Sequence, residues 1–351
     1  MAFFSIQDIA IKGIAAAVPA NRISNWDYDL LTESEKKLLV KTTGVEERRM
    51  VLPGMATSDL CFAAAEKLLK KLDWKKAEIE ILIFVSQSTD YYLPATSIIL
   101  QDRLGFPKSC MAFDIGLGCS GYVYGLSVIA GMMKATGFKK GLLLVGDVST
   151  ITCSKDDKST YPLFGDAGTV TALQFEENAS AMKFDLNSDG SGKDSIIIPH
   201  GGIRNLASAA SFEKEEIAPG IVRSKMELAL NGLEVFNFSI KEVPKSLFGF
   251  LEKTGTTPES YDYFVMHQAN KLMNETIRKK MGFSTGKVPY SMSKFGNTSS
   301  ASIPLTIVSE LSKDLKNSNK KLLLAGFGVG LSWGSVSLNL NNVVLPEIIE
   351  L

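Results

Sequence analysis

The sequence predicts an α/β chain built from two similar halves that meet at a shared site. Short apolar runs of strand length alternate with longer segments of helical period, and polar residues flanked by glycine stand where a run gives way to a helix. The spacing of these pieces also occurs twice. Val85, in EILIFVSQST, precedes Cys119 by 34 residues, and Val265, in DYFVMHQAN, precedes Asn297 by 32. Leu142, in KKGLLLVGD, follows Cys119 by 23, and Leu322, in KKLLLAGFG, follows Asn297 by 25. One order of strand, helix, turn, helix and strand thus fills residues 1–176 and again 177–351, a duplication with pseudo-twofold symmetry.

The first half opens on the strand DIAIKGIAAAV, and TSDLCFAAAEKLLKKL (57–72) is a helix with Thr57 or Ser58 as its cap. Cys110–Ile115 read as a short buried strand. Gly116 and Gly118 permit a sharp turn, and Ser120 with Gly121 open an apolar helix. Residues 139–147 and GTVTALQF close the half, and the polar segment EENASA leads into the second. The stretch 185–225, rich in Gly, Ser and charge, shows neither period before Met226 and reads as loops over the site. Farther on, a strand-like run ends at His267, KFGNTSSAS launches a helix through Ile303–Leu315, and a last strand precedes GFGVGLSWG (326–334).

Cys119 carries the chemistry. A thiol at a helix N-terminus meets the positive end of the dipole, which favours thiolate and can bring a cysteine pKa from ~8.5 into ~3.5–7.5. The chain holds two histidines. His200, between IIIP and GG, belongs in a turn, whereas His267 stands at a strand end, where α/β folds put their chemistry. Asn297 occupies the place in the second half that Cys119 holds in the first. Singly these are a buried small residue, a core histidine and a helix cap; together they make a candidate nucleophile with two polar partners.

Composition narrows the field. With 351 residues and 45% hydrophobic content the chain can bury a large core, and 38 basic against 38 acidic residues give no reason to expect nucleic acid or a polybasic membrane anchor. MAFFSIQDIAIKG lacks the basic start of a secretion signal, and the apolar run after Cys119 is broken by Gly121, Gly125 and Gly131 before Lys134, too short to span a membrane. Cys61, Cys110, Cys119 and Cys153 show no CxxC spacing, which argues against structural zinc and agrees with a reducing cytoplasm. Three motif imitations fail on detail. GLGCSG fits a dinucleotide turn, but Asp147 lies 26 residues beyond Gly121 instead of about 20. DLNSDGSGKDSI has Ile196 where a calcium loop needs Glu, and GSGKDS has Asn187 and Asp194 where a phosphate loop needs Gly and Ser or Thr.

GLGCSG, HQAN, FGNTSSAS and GFGVGLSWG, with KTTGVEERR (41–49), DYYLPATS (90–97), FGDAG (164–168) and NGLEVF (231–236), together resemble the β-ketoacyl-acyl carrier protein synthase III family of the thiolase superfamily, over nearly the whole chain. The resemblance implies a thiolase-like fold, two α/β halves in an α-β-α-β-α layering. It also implies a condensing acyltransferase that acylates Cys119 from an acyl thioester and then performs a decarboxylative Claisen condensation with malonyl-acyl carrier protein. His267 and Asn297 would bind the malonyl thioester, and the N–H groups of Cys119 and Val329 would form the oxyanion hole, Val329 standing where many members carry glycine. A backbone donor tolerates that replacement if φ stays negative. Leu93 and Phe295 would line the acyl channel, Leu93 across the interface of a homodimer. No cofactor and no metal is implied.

The departures concern substrate. Leu38 stands where typical members stack a Trp on the coenzyme A adenine, Thr42 replaces an Arg four residues on, and Lys158 replaces the second stacking Arg. Leu272 replaces the Arg after HQAN, with Lys271, Arg278, Lys279 and Lys280 nearby to meet an acidic carrier protein. Acyl coenzyme A is thereby expected to be a poor primer, and a specialised pathway stands beside the start of fatty acid synthesis. Two other readings stay open at this point: transfer of a Cys119-bound acyl group to an alcohol or amine, and a nicotinamide-dependent oxidoreductase built on GLGCSG.

Overall fold

The computed structural model describes residues 2–351. Its frame is two sheets whose inner strands are apolar on both faces. In Ile81–Val85, Ile81, Ile83 and Val85 face a central core while Leu82 and Phe84 face an outer one. In Asn319–Gly328, Leu322 and Leu324 face the same central core while Leu323, Ala325 and Phe327 face outward. Continuous apolar runs of this kind are what a strand covered on both sides requires.

The first sheet runs in the order Ile349–Glu350, Ile9–Val18, Ala167–Phe175, Lys140–Asp147, Ile81–Val85 and Met111–Ile115. The second runs Ala2–Ile6, Met182–Ser188, Ser332–Asn341, Asn319–Gly328 and Tyr263–Met266. Ile81–Val85 is parallel to Lys140–Asp147 and Tyr263–Met266 is parallel to Asn319–Gly328, each pair then flanked by an antiparallel strand. The N-terminal strand joins the second sheet by pairing with Met182–Ser188, and the C-terminal strand joins the first by pairing with Ala17 and Val18.

Helices Gly121–Thr136 and Ser302–Leu315 lie between the sheets, Thr57–Leu72 and Thr96–Arg103 cover the outside of the first, and Gly232–Thr254 and Lys271–Met281 cover the second. The architecture is thus five layers, α-β-α-β-α, as the fold expectation has it. Close approach in the middle layer depends on Gly125: a Cβ there would lie 2.9 Å from side-chain atoms of both Leu143 and Val85.

Two sequence expectations change. Residues 110–115 are not a buried strand; Met111–Ile115 is the half-buried edge of the first sheet. The stretch 185–225 is not all loop, because Met182–Ser188 is an inner strand of the second sheet and Glu215–Ala218 pairs with Ile221–Arg223. The apolar alternation is hidden there by Asp185, which is buried and accepts hydrogen bonds from Ser246 Oγ (2.7 Å) and Asn187 Nδ2 (3.0 Å). In the calcium-loop imitation, Asp189 instead caps the turn Gly190–Gly192 by accepting from Ser191 N–H at 2.9 Å.

Leu324, fully buried in the central layer, tests the packing. Leu324→Ala should cost about 2–5 kcal/mol, read from the shift of a urea unfolding midpoint, and a cost near zero would contradict the layered core.

Candidate active site

A cavity of about 240 Å³ opens where the ends of both sheets converge, and Cys119, His267 and Asn297 all line it. Cys119 and Asn297, singled out by the duplicated spacing, and His267, singled out by its strand end, are therefore brought together. Cys119 is buried at the end of the turn after Met111–Ile115, and Ser120, whose Oγ lies 2.7 Å from Ser332 Oγ, stands at the N-terminus of the helix behind it. The strand Asn319–Gly328 passes so close that a Cβ on Gly328 would lie 2.8 Å from Cys119 Sγ, and at φ 155° this is a position for glycine. The next residue, Val329, has negative φ, and its N–H donates to Cys119 Sγ, as does the cysteine's own N–H.

The electrostatics differ from the sequence expectation. Burial pushes the Cys119 thiol up to about 11; the hydrogen bonds from Val329, Ser299 and its own N–H oppose this, while the nearby Asp147 carboxylate adds to it. No cation lines the cavity to stabilise a thiolate, so desolvation outweighs the helix end. His267 is equally buried, and burial pushes its imidazole down to about 3 against the weaker pull of the Ser299 carbonyl. At neutral pH the site holds a thiol and a neutral imidazole.

Three residues of HQAN have separate tasks. His267 Nδ1 lies 2.8 Å from Ser302 Oγ, and the ring meets Phe327 edge-on with centroids 5.6 Å apart. Gln268 Oε1 accepts from Ser291 N–H at 3.0 Å, and Asn270 caps the following helix by accepting from Met273 N–H at 2.8 Å. Asn297 is held by its main chain, with N–H to the Leu163 carbonyl (2.8 Å) and carbonyl from Gly165 N–H (3.0 Å). Its Oδ1 accepts from Ser299 N–H at 2.9 Å, which leaves the Nδ2 hydrogens for a ligand.

Sequence reasoning weighed Asp147 only as a ribose ligand and quoted Asp166 only within FGDAG, and gave neither of these buried carboxylates a structural part. Asp147 accepts from Gln87 N–H (2.7 Å) and Ser86 Oγ (3.1 Å) at the end of the first sheet and from Ser300 Oγ (2.6 Å) in the KFGNTSSAS turn. It joins the two halves beside Cys119, and burial raises its pKa. Those bonds leave it no reach toward a ribose, which removes the oxidoreductase reading of GLGCSG. Asp166, in FGDAG, accepts from Val51 N–H (2.9 Å) and Thr150 N–H (3.0 Å), and burial pushes it up to about 6. Both acids follow glycine at a strand terminus, a signal the sequence does display.

Several residues expected near the substrate lie off the cavity. Phe295 is packed in the central core with the Arg49 guanidinium 5.7 Å from its ring, and the aromatics on the cavity are Phe164 and Phe327. Leu93 is 82% exposed and outside the lining. Leu38 is 61% exposed on Glu33–Thr43, and Lys158 pairs with Glu35 of that helix at 3.4 Å, so neither reaches the cavity. Arg278 is spent on Glu275, at 2.8 and 2.9 Å, and on the Phe283 carbonyl at 2.6 Å, whereas Lys271, Lys279 and Lys280 are exposed on the same helix. Among the described residues, no group of three or more His, Cys, Asp or Glu side chains could hold a metal, and no helix is long and apolar enough to cross a membrane.

Residues 113–190 match the family profile described as 3-Oxoacyl-[acyl-carrier-protein (ACP)] synthase III, and residues 251–340 match that family's C-terminal profile. The chain is 32% identical to the beta-ketoacyl-[acyl-carrier-protein] synthase III of Caldanaerobacter subterraneus subsp. tengcongensis, over 93% of this chain and 96% of the relative. The synthase III of Clostridium acetobutylicum is likewise 32% identical, over 95% and 99%. The chain belongs to the 3-oxoacyl-acyl carrier protein synthase III family. Members of this family are condensing acyltransferases. A crystal structure of the 3-oxoacyl-(acyl-carrier protein) synthase from Burkholderia xenovorans superposes with a TM-score of 0.94 at 38% identity, covering 100% of this chain and 99% of that one. The synthase III from Pseudomonas aeruginosa gives 0.84 at 26% identity, covering 96% and 100%.

Because deprotonation of Cys119 lies well above neutrality, its alkylation by iodoacetamide should climb about tenfold per pH unit from pH 7 to 9. Mass spectrometry of the modified peptide follows this, and a rate already level below pH 8 would contradict the buried neutral thiol.

Proposed function

We propose that Cys119, His267 and Asn297 carry out a two-stage condensation between an acyl thioester and malonyl-acyl carrier protein. In the first stage Cys119 sulfur attacks the acyl carbonyl, the bond to the donor sulfur breaks, and the thiol proton leaves with the departing thiol. In the second, the malonyl thioester loses carbon dioxide, and the resulting enolate carbon attacks the acyl carbonyl and displaces the Cys119 sulfur as a thiolate, which takes a proton from solvent to restore the thiol. Both stages put negative charge on a carbonyl oxygen. The N–H groups of Cys119 and Val329 suit the acyl oxygen, and such donors are each worth about 2.7–4 kcal/mol. Asn297 Nδ2 suits the enolate oxygen, and so does His267 in the tautomer whose Nδ1 accepts from Ser302 Oγ, its one N–H, on Nε2, then turning from the Ser299 carbonyl to the substrate. The observation that carries this reading is the convergence of a thiol and two uncharged donors in one cavity. A neutral imidazole donates without having to bury a cation.

The division into duplicated halves 1–176 and 177–351 fits this reading, since each supplies part of the site. A homodimer is supported by the open edge of Met111–Ile115 and by the exposed Tyr91, Tyr92 and Leu93, which a second copy would cover. Lys271, Lys279 and Lys280 stand on the helix that Asn270 caps at the cavity, which supports docking of an acidic carrier protein there. Four free cysteines agree with a cytoplasmic setting.

His267→Ala and Asn297→Ala should each lower condensation by about 10²–10³-fold while Cys119 is still acylated, and Cys119→Ala should lose both stages. Intact-protein and product mass spectrometry read the stages separately; condensation at the parental rate in either partner variant would overturn the assignment. The product mass also distinguishes a new carbon–carbon bond from an ester or amide. Leu93→Glu should turn a dimer into a monomer by light scattering, and an unchanged mass would remove Leu93 from the interface.

A further inference from the structure

Two polar side chains on the cavity wall have no part in the condensation. Gln87 follows Ile81–Val85 and Ser149 follows Lys140–Asp147, adjacent parallel strands in which Val85 pairs with Val145, so both leave the sheet at one edge. The Gln87 main chain is fixed by its N–H bond to Asp147. Its carboxamide lies over Gly118, where a Cβ would be 2.4 Å from Gln87 Oε1 and 2.9 Å from Val329 Cγ1. The carboxamide therefore stands beside both the turn that presents Cys119 and the residue whose N–H meets its sulfur.

Gln87 is exposed at the mouth of the cavity and Ser149 is half-buried, and among the described residues neither the Gln87 carboxamide nor the Ser149 hydroxyl has a hydrogen-bond partner in the protein. Deeper on the wall the Ser239 hydroxyl is also without a partner, whereas Ser88 is bonded to Thr57 (2.7 Å), Ser159 to Asp157 (2.5 Å) and Thr152 to the Ser149 carbonyl (2.8 Å). A hydrocarbon acyl chain seated against Gln87 and Ser149 would displace their water and return no hydrogen bond. A chain bearing oxygen would pair with both, since a carboxamide and a hydroxyl each donate and accept.

We propose that the acyl group accepted by Cys119 is oxygenated, carrying a hydroxyl or keto group close to the thioester that Gln87 and Ser149 bind. This rests on the reading of Cys119 as the acylated nucleophile. The substituent takes no part in the transfer: one sulfur–carbon bond forms at Cys119, the one to the donor breaks, and the proton leaves with the donor thiol.

The test is competition between 3-hydroxybutyryl and butyryl thioesters, presented on coenzyme A and on acyl carrier protein, with Cys119 adducts counted by intact mass. The hydroxylated group should win by about tenfold or more, and the doubly changed Gln87→Leu, Ser149→Leu protein should reverse the order. Gln87→Met alone, close in volume, should narrow the ratio where the double variant does not fold. Equal labelling, or preference for butyryl in the unaltered protein, overturns the inference and leaves the nucleophile standing. Labelling by neither donor on either carrier, with Cys119 free, overturns the nucleophile as well.

Discussion

Everything at the site depends on how closely the second sheet passes the first half's nucleophile. Gly328 leaves no side chain between its strand and Cys119, and this lets the Val329 N–H reach the sulfur. A side chain at position 328 would separate the two halves where they have to touch. The Asp147 carboxylate works to the same end, holding the strand end at Gln87 and the turn at Ser300 in one hydrogen-bonded cluster. The two apolar helices between the sheets carry the load behind it.

That approach also sets the electrostatics. Groups packed between two sheets are dry, and dry groups stay neutral unless an opposite charge is near. Cys119 and His267 are accordingly uncharged, and the nearby Asp147, whose own pKa burial raises, adds to the raised thiol. Chemistry that passes negative charge from sulfur to oxygen and back suits fixed N–H donors better than a resident cation, because donors stabilise the charge only where and when it forms.

Much of this was legible in the chain, for definite reasons. The double spacing of Val85, Cys119 and Leu142 against Val265, Asn297 and Leu322 reports a repeated topology, and the pairing of Ile81–Val85 with Lys140–Asp147 and of Tyr263–Met266 with Asn319–Gly328 repeats it in space. Polar residues at strand ends and glycine turns mark the site because the ends of both sheets open on the cavity. What stayed hidden depends on contacts distant in sequence. Met182–Ser188 was unreadable because Asp185 breaks its apolar pattern and finds its partner in Ser246, 61 residues away. Phe295 was misassigned because the motif gives its neighbourhood but not its direction, and it turns into the core. The raised thiol could not be read from a helix N-terminus alone, since burial is a property of the assembled layers.

The most direct measurement is a crystal structure of the acyl-enzyme formed on Cys119. The account predicts that the acyl oxygen lies about 2.7–3.1 Å from the N–H nitrogens of both Cys119 and Val329, with His267 and Asn297 free to meet a second thioester. An acyl oxygen turned away from Val329, or an acyl group carried on another residue, would contradict it.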